Sequence, residues 1–247
     1  MDNNINNGQS SGSAMLVGVF ALVIGLGLGF VISSSMKSDD SAATKETVVI
    51  KEGEKETGKA MQNEAPNTKT KAADLRVLLN SLKRQHADLA SAATRNGFDG
   101  DPDFKASADS LDANSIALSK AVGSVYGVEA EKKFLEIWRS HIGFFVDYTV
   151  AAKKGDKAGM EKAVQNLNGY VEAIATFLSG ANPNLPKEAV KAAVGEHVSL
   201  LKSTVDAYAA GDYAKSYQQQ TLTNKQIGEV VADTLAGAIV KQYPEKF

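Results

Sequence analysis

The distribution of apolar residues divides the chain into four parts. Residues 1–14 form a polar tail, and residues 15–33 form a run without a single charge. Residues 34–70 are rich in Ser, Thr, Lys and Glu, so they contain too few apolar groups to offset the entropy of ordering the chain. From residue 71 onward apolar side chains recur every three or four positions, which is typical of amphipathic helices. The pattern therefore predicts a tail, an apolar helix, a disordered linker and a helical domain, residues 71–247.

The uncharged run has the length of a membrane-spanning helix. At ~1.5 Å per residue, the stretch from Met15 to Ile32 covers roughly 27 Å, close to the thickness of a bilayer core. A cleaved signal peptide is the main alternative, but the tail has no Lys or Arg and no Ala-x-Ala site follows the run. We therefore expect a retained anchor that contacts the lipid bilayer through residues 15–33. The lysines at 37, 45 and 51 favour a cytoplasmic C-terminal part by the positive-inside count, although long domains cross largely regardless of charge.

The remaining chain is predicted to be all-α. Helical periodicity covers six stretches, and the five prolines at 66, 102, 183, 186 and 244 lie outside their interiors. The predicted helices are 71–95, 104–122, 128–153, 158–179, 187–210 and 213–242. Strand signals are lacking, so we expect one bundle of about six helices.

The three histidines mark an internal repeat of this bundle. His86, His141 and His197 follow one another at intervals of 55 and 56 residues, and each is followed fifteen residues later by a Gly-Asp pair. A repeat of this size predicts three tandem helix hairpins, in which the Gly ends the first helix and the Asp caps the second. Every histidine also lies on the apolar stripe of its helix, which predicts that all three are buried.

Two hypotheses describe what these histidines do. In the first, each one is a neutral core residue that is hydrogen-bonded across its hairpin to a polar residue at the same height, namely Asp112, Asn168 and Asn224. In the second, the three imidazoles converge and bind copper, zinc or haem. The sequence alone does not show whether they meet, so both hypotheses stay open.

Composition removes several classes of chemistry. The chain has no cysteine, and its formal charge of −2 argues against nucleic acid as a partner. It also lacks His-x-x-x-His and Glu-x-x-His pairs, and no nucleotide-binding or nucleophile motif occurs in a suitable context. We therefore expect no enzymatic activity. An aromatic-rich stretch of the third helix is the candidate ligand groove, with Trp138, Arg139, Phe145, Asp147 and Tyr148 as its residues.

Residues 72–247 resemble a known helical domain. The stretches that carry the resemblance are SLDANSIALSKAVGSVYG, FLEIWRSHIGFFVDYTVAA, FLSGANPNLP, DAYAAGDYAKSY and AIVKQYPEKF. This domain is found in secreted or membrane-attached proteins of Gram-positive bacteria that often carry the label copper amine oxidase. Because the catalytic domain of that enzyme has no counterpart here, the resemblance does not imply oxidase chemistry. It does imply that the helical domain is extracytoplasmic, and we give this implication more weight than the positive-inside count of the three lysines.

These observations lead to one expectation and one alternative. We expect a single-pass, non-enzymatic binding or scaffold module of the bacterial cell envelope, with its helical domain outside the cell membrane. Its partner would be an envelope protein or a small ligand, and no cofactor is expected. The alternative is a metal- or haem-binding bundle that uses His86, His141 and His197.

Overall fold

The computed structural model describes residues 68–247, and within this range every regular element is a helix. The helices are α1 (Lys71–Asp99), α2 (Phe104–Tyr126), α3 (Val128–Lys154), α4 (Lys157–Ala181), α5 (Lys187–Ala209), α6 (Tyr213–Lys225) and α7 (Asp233–Gln242). A π-helical segment, Gln226–Ala232, joins the last two and is called the π segment below. The all-α prediction is confirmed for this part of the chain.

The predicted N-terminal parts lie outside the described residues. This holds for the tail 1–14, the membrane span 15–33 and the linker 34–70 except for its last three residues. Among the helices that the structure does describe, none combines the length and the apolar composition needed to cross a membrane.

The helix ends follow the repeat in two of the three hairpins. The Asp156 and Asp212 side chains accept hydrogen bonds from the backbone N–H groups of Gly159 and Lys215, both at 3.0 Å. The preceding glycine has a positive φ in each case, 65° at Gly155 and 74° at Gly211, which lets the chain reverse at the end of the helix.

The first hairpin departs from this pattern. Gly100 again has a positive φ of 79°, but α2 begins only at Phe104, after Pro102. The Asp101 backbone carbonyl, rather than its side chain, accepts the Phe104 N–H at 3.1 Å. The predicted Asp101 cap is therefore wrong, because the helix starts two residues later than in the other hairpins.

The three predicted hairpins are present as packed pairs: α1 with α2, α3 with α4, and α5 with α6. Helix α1 also contacts α3, α5, α6, the π segment and α7, so the last hairpin closes against the first. The largest apolar core side chains, at most 2 % exposed, come from all three hairpins: Leu79, Leu118, Phe134, Tyr148, Leu167, Ile174, Leu201 and Ile227. The described helices belong to one compact unit, so a fragment of residues 61–247 carries the whole described core.

The segment predicted as one helix, 213–242, contains the π segment at its centre. Two side chains of α1 pack against it: Asn80 Nδ2 donates to the Gly228 carbonyl at 3.0 Å, and the Arg84 guanidinium lies where a Gly228 side chain would be. On the other side, Gln226 Nε2 donates to the Ala193 carbonyl of α5 at 2.8 Å. Short π-helical turns inside α-helices occur frequently at functional sites, and this one lines the cavity described next.

Candidate ligand-binding cavity and histidine cluster

The three histidines meet in the centre of the bundle. His86 on α1, His141 on α3 and His197 on α5 are 0 %, 1 % and 3 % exposed. The ring centroid of His86 lies 5.4 Å from that of His141 and 6.1 Å from that of His197. The Nε2 atoms of His86 and His141 are 3.4 Å apart, a distance at which one ring can donate to the other. The predicted burial is confirmed, and the rings of His141 and His197 both lie beside that of His86, which the sequence had left open.

Two aromatic side chains complete this group, which we call the histidine cluster: His86, His141, His197, Trp138 and Tyr170. The Trp138 ring centroid is 4.8 Å from that of His86 and 4.7 Å from that of His141. Tyr170 of α4 stacks on His141 with a centroid distance of 4.4 Å and an interplanar angle of 26°. The cluster is therefore a packed aromatic core with imidazoles at its centre.

Lys83 is buried beside this cluster. It is 4 % exposed, and its Nζ lies 3.8 Å from the centroid of the Trp138 ring, in cation–π geometry. Within the described part of the chain Lys83 has no carboxylate at ion-pair distance. A lysine buried without an acidic partner is unusual, because desolvation strongly disfavours its charged form.

Burial sets the protonation state of the whole site. Desolvation lowers the pKa of Lys83 from 10.5 to about 7. Desolvation, together with the nearby Lys83 charge, lowers the pKa of His197 from 6.5 to about 3. The pKa values of His86 and His141 also lie well below the usual range, mainly because both rings are buried. The histidines are therefore neutral at pH 7, and the Lys83 amine is divided between its charged and neutral forms.

A cavity of about 250 Å³ adjoins the cluster. It lies between α5 and the helical stretch formed by the π segment and α7, and the α4–α5 connection closes one end. The lining is aliphatic and aromatic apart from a few polar groups, and Lys83, Trp138, Tyr170 and His197 all contribute to it. Both ring nitrogens of His197 lack a hydrogen-bond partner among the described residues. A concave apolar site with a few convergent polar groups is the usual form of a small-molecule site.

The predicted hairpin pairs are not formed. Asp112 makes a two-point ion pair with Arg139, with both N–O distances at 2.7 Å, instead of contacting His86. Asn168 is exposed on α4. Asn224 donates to Asp88 at 2.6 Å instead of bonding to its hairpin histidine. The prediction was wrong because equal height along a hairpin does not place two side chains on the same face.

The predicted ligand groove is also corrected. Of its five residues only Trp138 lines the cavity. Phe145 belongs to the core, Arg139 is held by Asp112, and Asp147 is exposed. Tyr148 is fully buried, and its hydroxyl donates to Asp206 at 2.5 Å. Trp138, Phe145 and Tyr148 share the buried face of α3. Arg139 and Asp147 lie outside that face, so the five side chains do not line one groove.

Sequence reasoning missed Lys83 and Tyr170. Lys83 lies three residues before His86, which places it on the same face of α1. That spacing was the available signal, but a lysine in a helix normally extends into solvent. Tyr170 follows Leu167 at the same interval, and nothing in the sequence relates it to His141 on another helix.

The convergence of the imidazoles does not by itself create a metal site. Within residues 68–247 no group of three or more His, Cys, Asp or Glu side chains has an arrangement that could hold a metal ion. The Lys83 amine, whose charge acts on the His197 ring, would also repel a cation bound there.

Comparison with protein-family models, with curated proteins and with solved structures gives no match for this chain. The resemblance to the helical domain of Gram-positive envelope proteins therefore stays a prediction that rests on the sequence stretches quoted above.

Proposed function

We propose that this chain is a membrane-anchored, extracytoplasmic binding module of the bacterial cell envelope, whose helical bundle holds a small apolar molecule. It acts by binding and not by turnover. The observation that carries the proposal is the cavity of about 250 Å³ with Lys83 and His197 in its lining. The uncharged run at residues 15–33 and the polar linker support the membrane attachment.

The lining indicates the chemistry of the ligand. Most of the wall is aliphatic or aromatic. Transfer of a ligand's apolar tail from water into the cavity would therefore have a favourable free energy. Both ring nitrogens of His197 have no hydrogen-bond partner among the described residues, and the Lys83 amine forms no ion pair there. Buried polar groups are normally paired, and a ligand with one oxygen-containing end group would pair them. The best fit is a small molecule with an apolar tail and one polar end.

Membrane attachment agrees with a ligand of this kind. Apolar molecules with one polar end concentrate at the membrane surface. The sequence predicts a linker of about forty residues before the bundle. A random coil of that length has a reach of roughly 35 Å, which would keep the domain close to that surface. In this proposal the bundle takes up its ligand from the neighbourhood of the bilayer.

Fluorescence provides a direct test, because Trp138 is the only tryptophan of the chain and lines the cavity. The fragment 61–247 is titrated with 1-octanol while the Trp138 emission is recorded. We expect a saturable change in emission for the wild-type fragment. An emission that does not change, or changes without saturating, would contradict the proposal.

Two matched variants locate the binding. Ala193 lines the cavity, so Ala193→Phe should fill it and abolish the response to octanol. Ala192, the preceding residue of α5, is exposed, and Ala192→Phe should leave the response intact. An equal effect of both variants would mean that octanol binds elsewhere.

Haem is a second candidate, favoured by one observation. The unpartnered imidazole of His197 faces an apolar cavity, which is the chemistry of an axial haem ligand. A porphyrin is larger than this cavity, so α5 and the π segment would have to separate to admit it. Titration with hemin should then give a Soret band that His197→Leu removes. A spectrum of free hemin would reject this candidate and leave the octanol result unaffected.

A further inference from the structure

Lys83 has surroundings that change the chemistry of its amine, and the inference drawn from them rests on the proposed binding in the cavity. The Nζ atom lies 3.8 Å from the Trp138 ring centroid and 5.8 Å from that of Phe134. No carboxylate of the described residues is within ion-pair distance. The side chain is 4 % exposed and contributes to the cavity lining, so its open side faces the ligand space.

The groups around Lys83 carry no compensating charge. His86, His141 and His197 are the titratable groups whose electrostatic interaction with it is resolved, and all three are buried. Because desolvation lowers the pKa of Lys83 to about 7, much of its amine is neutral at physiological pH. An exposed lysine is almost entirely protonated under the same conditions. A neutral amine in an apolar pocket is the form of lysine that attacks carbonyl carbons.

We propose that the Lys83 amine captures small apolar aldehydes that enter the cavity, and holds them as a Schiff base. The nitrogen lone pair forms a bond to the carbonyl carbon, and the electron pair of the C=O bond moves to the oxygen. Proton transfer from nitrogen to oxygen gives a carbinolamine. Loss of the hydroxyl group with a proton releases one water molecule and leaves a C=N bond. The reaction requires no oxidant or reductant.

Other residues of the cavity lining would assist the successive steps of this reaction. His197 lies in the same lining with both ring nitrogens free, so its N–H is available to donate to the carbonyl oxygen. The face of Trp138, already in cation–π contact with Lys83, would stabilise the protonated Schiff base in the same way. The apolar walls accept the aldehyde tail and exclude the water that would hydrolyse the C=N bond.

Reductive trapping tests this proposal on the fragment 61–247. The fragment is mixed with less than one equivalent of octanal at about pH 7, reduced with sodium cyanoborohydride, and analysed by intact mass and peptide mapping. We expect one octyl group on Lys83, in about tenfold or greater excess over the exposed Lys120, because far more of the Lys83 amine is neutral. Lys83→Met should remove this selective labelling.

The two cavity variants test whether the aldehyde reaches the Lys83 amine through the cavity. Ala193→Phe leaves Lys83 in place but fills the cavity, so the selective label should disappear, whereas Ala192→Phe should keep it. Labelling of Lys83 that persists unchanged in Ala193→Phe would overturn the proposal, because the aldehyde would then reach the amine by another route.

The octanol titration distinguishes failure of this inference from failure of the proposed function. If octanol shifts the Trp138 emission but octanal labels Lys83 no faster than Lys120, the cavity binds apolar ligands and the Schiff-base proposal is wrong. If octanol gives no response and octanal shows no preference for Lys83, both proposals fail. Selective labelling of Lys83 together with a saturable octanol response supports both.

Discussion

The burial of Lys83 predicts an unusual dependence of stability on pH. Its pKa is about 7 in the folded protein, compared with 10.5 for an ordinary lysine, and desolvation is the cause. At ~1.4 kcal/mol per pKa unit, this difference corresponds to about 5 kcal/mol of destabilisation below about pH 7, where the amine is charged in both the folded and the unfolded state. Lys83 is almost inaccessible to water, so solvent screening removes little of this amount.

The sign follows from proton uptake. Between about pH 7 and about pH 10.5 the unfolded chain binds a proton at this lysine that the folded chain does not, so stability rises with pH across that window. From about pH 7 to about pH 9.5 the rise amounts to about 3 kcal/mol. The three buried histidines do not contribute there, because their folded pKa values are lowered and their effect ends near pH 6.5.

Urea unfolding of the fragment 61–247, followed by far-ultraviolet circular dichroism at both pH values, measures this rise. Lys83→Met keeps an unbranched chain of similar size and removes the amine, so its free energy of unfolding should be nearly the same at both pH values. The variant should also be the more stable protein at neutral pH. Lys120→Met, on the exposed surface of α2, should retain the slope of the wild type. Parallel curves for the wild type and Lys83→Met would refute the reasoning, since the amine would then be hydrated in the folded state.

Three further predictions concern the cluster, the hairpin caps and the membrane orientation. His141→Ala should lower the free energy of unfolding by roughly 2–4 kcal/mol because it leaves a cavity, whereas His141→Leu should lower it far less. Urea unfolding compares the two variants, and equally small losses in both would contradict the burial of His141. Asp212→Ala should cost about 1 kcal/mol because its side chain caps α6, and Asp101→Ala should cost almost nothing in the same assay. Because the natural chain has no cysteine, a single Gly180→Cys variant should react with a membrane-impermeant maleimide on intact cells if the bundle is extracytoplasmic; labelling only after lysis would contradict this orientation.

The positions of the histidines could be predicted from the sequence because they depend on local geometry. An apolar residue every three or four positions fixes which face of a helix is buried, and all three histidines lie on that face. The 55- and 56-residue spacing then places one histidine in the first helix of each hairpin. When the three first helices pack around a common core, these rings come together.

Features that depend on contacts between distant helices could not be predicted in this way. The π segment is held by Asn80 and Arg84 of α1, which are more than one hundred and forty residues away in sequence. The partner of Asp112 is Arg139 of the next hairpin rather than His86 of its own. Such pairings depend on how each helix is rotated about its axis, and periodicity does not determine that rotation relative to a distant partner.

Lys83 connects the stability of the bundle with the binding proposed for it. A methionine at this position would fill the same space beside Trp138 without the desolvation cost of about 5 kcal/mol. Packing alone therefore gives no reason for an amine here. A ligand that pairs with the amine, or converts it to an imine, removes the unfavourable state and stabilises the fold at the same time. This destabilising feature of the described core thus lies in the wall of its apolar cavity, where binding would relieve it.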